Sequence, residues 1–169
     1  MNFQLARLPS PIGEVLLVFD GEIVRALDFH DYEARMHQLL RLHYGAYSLT
    51  PAEPPAAVAQ AIQAYFAGDL TALDRIAVQT GGTDFQRLVW AALRRIPAGA
   101  TTSYGRLAAQ IGRPGASRAV GLANGANPVS IVVPCHRVIG ANASLTGYGG
   151  GLGRKAWLLA HESPAPALL

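Results

Sequence analysis

The residue types able to do covalent chemistry meet at Pro134, Cys135, His136 and Arg137. Cys135 is the only cysteine among 169 residues, which excludes an intramolecular disulfide and every zinc site that needs several thiolates. It is then either a small buried hydrophobe or a nucleophile. A free thiol with a pKa of about 8.5 is only slightly ionised at neutral pH, so a nucleophile needs a cation, a base or a helix N-terminus beside it. His136 and Arg137 supply a base and a cation. Neighbours in an extended chain face opposite ways, however, so His136 reaches the sulfur only if the chain turns or a water bridges the two. The preceding residues 130–133, SIVV, are a continuous apolar run, and Cys135 is expected at the end of a buried strand, just after a proline that stops further pairing.

Two halves of opposite charge must hold this group. Residues 1–82 carry five Arg against nine Asp or Glu, net −4, while residues 83–169 carry nine Arg or Lys against Asp84 and Glu162 alone, net +7. Thirteen of the fourteen basic residues are arginine, the side chain suited to phosphate contact and stacking. A polyanion partner fits this balance, and so does a solvated basic face on an arginine-rich chain. With 50% hydrophobic and 15% charged residues the chain is too apolar to be disordered. It has neither a membrane-length apolar run nor a secretory signal, so a cytosolic protein without a membrane partner is expected.

In the first half, residues 3–8, 14–19 and 23–29 read as a small antiparallel sheet. Residues 31–42 and 56–66 read as helices and residues 73–78 as a further strand. Gly81 and Gly82 mark the expected boundary between domains 1–82 and 83–169. Beyond it Phe85, Leu88, Val89, Ala92, Leu93 and Ile96 recur at helical spacing, with Thr83 or Asp84 as N-cap. Ser103 can cap a short helix through Leu107, Ala108 and Ile111. The turn Gly112, Arg113, Pro114 and Gly115 follows, and then a second helix over residues 116–126, ended by Asn127 and Pro128. This is a helix-turn-helix outline, which a structural helix pair shares. The second helix offers Ser117, Arg118, Ala119 and Gly121 where a major-groove reader would carry several polar side chains. Small residues fit a surface met at short range, such as a minor groove, with Arg118 able to enter the base stack. The same residues could instead pack against the helix at 85–96.

The strings PCHRVIG, SYGRLA, RAVGLANGANP and LTGYGGGLGRKAWLLAHE closely resemble the O6-alkylguanine-DNA alkyltransferase family, and SPIGEVLLVFDGEIVRALDF resembles the start of that family's N-terminal domain. The resemblance implies an α/β fold: an N-terminal ribonuclease H-like antiparallel sheet with helices, and a mostly helical, winged helix-turn-helix-like C-terminal domain. It implies repair of double-stranded DNA containing O6-alkylguanine, approached from the minor groove without a cofactor by a monomer, with cooperative binding along DNA left open; some relatives carry a structural zinc in the N-terminal domain, which is not expected here because residues 1–82 hold no cysteine. Cys135 would keep the alkyl group as a thioether, which ends the protein's activity because a thioether offers no leaving group. His136 would act as base through a water, and Glu162 would hold it. Tyr104 and the backbone N–H of Gly149, after Tyr148, would donate to the guanine, while the carbonyls of Cys135 and Val138 would accept from its exocyclic amine. Asn127 would bridge the DNA-binding helices to the reactive segment. Arg118 would replace the extruded base, with Ser117, Ala119, Gly121 and Arg137 also on the DNA side. Arg94, Arg95, Arg106 and Arg113 are candidate phosphate contacts as a group. Ala143 and Gly153 depart from the family pattern in and beside the loop bordering the pocket. A damage sensor lacking the cysteine, a helix-turn-helix regulator and a cysteine hydrolase are the alternative activities.

Overall fold

Three apolar segments separated by short turns build the first sheet. The computed structural model describes residues 1–140 and 148–163. Strands β1 (Asn2–Leu8), β2 (Val15–Asp20) and β3 (Ile23–Phe29) pair antiparallel, with Leu5 opposite Val18 and Val15 opposite Phe29. A fourth strand, β4 (Ser48–Pro51), adds parallel to β1 and gives the order β3-β2-β1-β4. Its sequence, SLTP, is short and polar and carries no strand signal. The run Val15 to Phe19 is buried throughout because the sheet is covered on both faces. Helix α1 (Glu33–Tyr44) packs Met36 and Leu40 on Phe3, Leu16 and Val18. On the other face, Leu17, Phe19 and Leu27 share one hydrophobic cluster with α2 (Ala56–Phe66) and with the second half of the chain.

The second half is helical, and its local signals are used as the sequence suggests. Helix α3 (Asp84–Leu93) begins with a full capping box, in which Gln86 N donates to Thr83 Oγ1 at 3.1 Å and Thr83 N donates to Gln86 Oε1 at 3.0 Å. Gly82, just before it, has φ +91°, and a Cβ there would lie 2.9 Å from the Trp90 ring, so the entry to α3 requires glycine. Ser103 caps α4 (Tyr104–Gln110), the glycine turn follows, and α5 (Ser117–Gly125) completes the pair. Strands β5 (Thr102–Ser103) and β6 (Val138–Ile139) form a two-residue parallel ladder, and α6 (Leu152–Glu162) closes the described chain. Among the described residues no helix is long and apolar enough to cross a membrane.

Two expected strands take other forms. Within residues 73–78, a 3-10 turn at Ala72–Arg75 replaces the strand, and only Val78 bridges, to Val24. Residues 130–133 turn instead of extending, and only Val129 bridges, to Leu27. An apolar run such as residues 130–133 shows burial but not backbone shape, and that segment is buried as a turn against the edge of β3, whereas residues 73–78 bury Leu73 and Ile76 and expose Asp74, Arg75 and Ala77. Leu27 N donates to Pro128 O and Ser130 N to Leu27 O, each at 3.0 Å, so the edge of β3 holds the segment that leads to Cys135.

Candidate active site

Asn127 organises the approach to the cysteine. Fully buried, it accepts from Val129 N at 2.9 Å and donates through Nδ2 to Val133 O at 2.8 Å, clamping the loop across its base. Inside the clamp the turns are tight: Val132 N donates to Ser130 O and Cys135 N to Val133 O, both at 2.8 Å. Ile131 has φ +72°, a conformation that costs a β-branched residue about 1–3 kcal/mol. A 3-10 turn then carries Cys135–Arg137, which resolves the orientation problem of adjacent side chains. The chain turns at the cysteine, so His136 does not simply point away from it.

Glu162, from α6, gathers the charged groups around this turn. His136 Nε2 lies 2.8 Å from Glu162 Oε2, Arg137 Nε donates to Oε1 at 2.8 Å, and Arg137 Nη2 donates to Oε2 at 2.9 Å. From α2, Tyr65 Oη donates to Oε2 at 2.6 Å. Burial alone would raise the Glu162 carboxyl, but hydrogen bonds from His136, Arg137 and Tyr65 outweigh it and hold the group ionised, far below the usual carboxylate range. Burial lowers the His136 pKa, and the nearby carboxylate offsets this only in part. The His136–Glu162 contact has ion-pair geometry, yet Arg137 already neutralises Glu162 and the ring is fully buried, so the imidazole rests neutral. An ionised acceptor on one side assigns the ring proton to Nε2. That leaves Nδ1 a lone pair, and among the described residues it has no hydrogen-bond partner.

Cys135 itself is 4% exposed. Burial pushes its thiol up, and the opposing effects of an Asn127 hydrogen bond and of the charges on Arg35 and Lys155 are smaller. The resting sulfur is therefore protonated, and a base must take its proton for it to attack. Lys155, the only lysine in the chain, is fully buried and donates to Val138 O at 2.6 Å. Asn124 Nδ2 donates to Cys135 O at 3.4 Å, and each carbonyl keeps a second lone pair. The Tyr148 hydroxyl is also buried; desolvation, then the nearby Cys135 and Asp28, hold it firmly protonated.

The remaining expected residues separate into an outward and an inward set. Ser117, Arg118 and Ala119 are exposed on α5, joined by Leu122 at 73% exposure, which the sequence did not single out. Ala123 instead is buried, its carbonyl taken by Trp90 Nε1 at 2.8 Å. A Cβ on Gly121 would make an ordinary 3.7 Å contact with the Tyr104 ring, so packing alone does not demand glycine there. Arg137, expected on the DNA side, is turned inward: Ile96 O takes its Nη1 at 2.6 Å and Glu162 takes the rest. Arg94 likewise donates to Leu73 O at 3.0 Å and serves the fold. Gly153 sits on the exposed first turn of α6, and Ala143 lies outside the described residues.

Two arginines that sequence reasoning passed over join the halves beside the site. Arg35 of α1 donates to Asp28 Oδ2 at 2.8 Å, to Gly125 O at 2.7 Å and to Asn127 O at 3.0 Å. A Cβ on Gly149 would come within 2.9 Å of its guanidinium carbon, so that glycine permits the close approach. Arg154 runs the other way, from α6 to Ile12 O at 2.8 Å and to Asp31, with its guanidinium 4.2 Å from the centre of the Phe29 ring.

Comparisons with known proteins cover nearly the whole chain. The family model described as 6-O-methylguanine DNA methyltransferase, ribonuclease-like domain, matches residues 6–80, and the DNA binding domain of the same description matches residues 84–164. A methylated-DNA–protein-cysteine methyltransferase of Salmonella typhimurium is 53% identical over 159 residues, covering 92% of this chain and 93% of the relative. Among solved structures, Mycobacterium tuberculosis OGT in complex with DNA superposes with a TM-score of 0.81 at 45% identity, covering 96% of each chain. The O6-methylguanine-DNA methyltransferase of Pyrococcus kodakaraensis superposes at 0.71 with 25% identity, covering 95% of this chain and 98% of that one.

Proposed function

Because the chain belongs to the family of methylated-DNA–protein-cysteine methyltransferases and repairs DNA by alkyl transfer, we propose that it moves the alkyl group of an O6-alkylguanine onto Cys135, once per molecule. The observation that carries this reading is the arrangement at Glu162: an ionised carboxylate fixes the His136 proton on Nε2 and leaves Nδ1, among the described residues, without a hydrogen-bond partner, on the residue next to the lone cysteine. A water relays the Cys135 proton to Nδ1. The sulfur electron pair attacks the alkyl carbon, the bond from that carbon to O6 breaks, and its electrons remain on the guanine. The purine anion is met by donors, the Tyr104 hydroxyl toward N3 and the Gly149 N–H toward O6, and takes up a proton to become guanine. The base is needed because burial keeps the resting thiol neutral. The product is a thioether and no second thiol stands by, so the reaction stops after one turn.

The base reaches the pocket by leaving the duplex. In this proposal α5 enters the minor groove with Ser117, Ala119 and Gly121 against the sugar-phosphate walls, and Arg118 fills the gap in the stack. The exposure of Ser117, Arg118 and Ala119 supports the reading. One copy of the chain acts on each lesion. The same proposal divides the chain at residues 82 and 83 into a ribonuclease H-like unit and a DNA-binding, alkyl-accepting unit. Intact-mass measurement after mixing with a duplex that contains O6-methylguanine tests it. One methyl group per protein, on Cys135, is expected; continued turnover, or methylation that persists in Cys135→Ser, would refute it.

A further inference from the structure

We infer that Tyr65, supplied by the first half of the chain, is a positioning residue for alkyl transfer: its hydroxyl shares one carboxylate oxygen of Glu162 with His136 and so sets how strongly that histidine takes the thiol proton. This rests on the reading of Cys135 as acceptor and His136 as its base.

The geometry singles out the hydroxyl. Tyr65 is fully buried on α2, 97 residues from Glu162 in sequence, yet its Oη donates at 2.6 Å to the same Oε2 that faces His136 Nε2 at 2.8 Å. Arg137 occupies Oε1 and adds a third donor to Oε2. The ring has its own packing, edge-on to Phe66 and His161, so the hydroxyl is not needed to hold the side chain in place. Its proton has one destination. Burial and the adjacent carboxylate keep the phenol protonated, so it donates across the working pH range.

A donor on Oε2 withdraws negative charge from the atom that must stabilise the imidazolium formed when His136 accepts a proton. Removing the hydroxyl therefore makes Glu162 a stronger partner and His136 harder to keep neutral. The other charged or titratable groups facing His136 are Arg137 and Lys155, both opposing a positive ring, together with Cys135 and the Tyr148 ring 6.4 Å away. Arg137 and the Tyr148 hydroxyl also feel residue 65, but Arg137 keeps its own bonds to Glu162 and Ile96 O, and burial keeps the Tyr148 hydroxyl protonated.

The experiment is the single-turnover rate of methyl transfer from an O6-methylguanine duplex, followed against pH. Tyr65→Phe retains the ring and is expected to move the acid limb of the profile to higher pH by about half a unit to one unit, the size of one lost hydrogen bond. A ring-fluorinated tyrosine at the same position is a stronger donor and is expected to move the limb to lower pH. It keeps the proposal testable should the Phe variant fail to fold. A side chain that only packs would change the unfolding midpoint and leave both profiles superimposed on the wild type, and that result would overturn the inference. Absence of methyl transfer in the wild-type protein would instead sink the assignment of Cys135, so the two failures are distinguishable.

Discussion

At the residue scale the site is one carboxylate serving three donors. Glu162 neutralises Arg137, orients His136 and accepts from Tyr65, all with under a tenth of any of these side chains exposed. Such a cluster is robust when complete and fragile when one partner is lost, because the remaining charge has no water to turn to. Glu162→Gln leaves the Arg137 guanidinium buried without a counter-charge, and denaturant titration should show a loss of about 3–5 kcal/mol. The double change Glu162→Gln with Arg137→Met should recover part of that stability while methyl transfer stays at least roughly a hundredfold slower, since proton acceptance is still impaired. Recovery of the rate together with the stability would show that Glu162 serves only the fold. The sequence made Cys135, His136 and Glu162 legible through their motifs. It gave no sign of Tyr65 or Arg35, because ordinary apolar and charged helix positions look alike until the partner they meet is known.

At the scale of elements, the periodic and capped segments read true. Helix α2 falls on residues 56–66, and Thr83 and Ser103 cap their helices through side-chain hydrogen bonds. The two failures, at residues 73–78 and 130–133, share a cause: a stretch of four to six residues with buried apolar positions is compatible with a strand or with a turn, and long-range contacts choose. Helix α5 divides its faces, placing Val120, Ala123 and Asn124 inward and Ser117, Arg118, Ala119 and Leu122 outward. In the proposed role, Arg118 fills the stack of duplex DNA and has no task when the base is already free. Arg118→Ala should slow repair of an O6-methylguanine duplex roughly tenfold or more, the scale of an unstacking cost of a few kcal/mol, with little effect on the free modified base. Equal losses in the two assays would exclude a role in the stack.

At the scale of the molecule, the first half is part of the site rather than an appendage. The β3 edge pairs with residues 128–130, Arg35 ties α1 to Asn127, and Tyr65 reaches Glu162 from α2. One hydrophobic cluster runs from β1 to α6. Acid should act on this shared interior through His136 and Glu162. Folding lowers the His136 pKa below its ordinary 6.5, so its contribution to stability is whole above 6.5 and is lost as pH falls below that value. Glu162, lowered from 4.5, contributes above 4.5 and loses its share as pH falls further. The unfolding midpoint is therefore expected to decline first below about pH 6.5, and His136→Gln should shrink that first decline to the share of His43, whose pKa burial also lowers. A decline of the same size in the variant would mean that other groups govern acid stability.

Local chemistry determined much of this protein from the sequence alone: where helices begin, which segments are apolar, that a single thiol stands beside a histidine, and which family those motifs resemble. Those properties depend on residues within a turn or two of one another. Only the tertiary structure decided that the thiol rests protonated, that His136 is neutral with Nδ1 open, that Arg137 faces inward, and that Tyr65 and Arg35 serve the site from across the chain. Desolvation and the sharing of a carboxylate depend on which distant groups are packed together in a water-free interior, and spacing along the chain does not encode that.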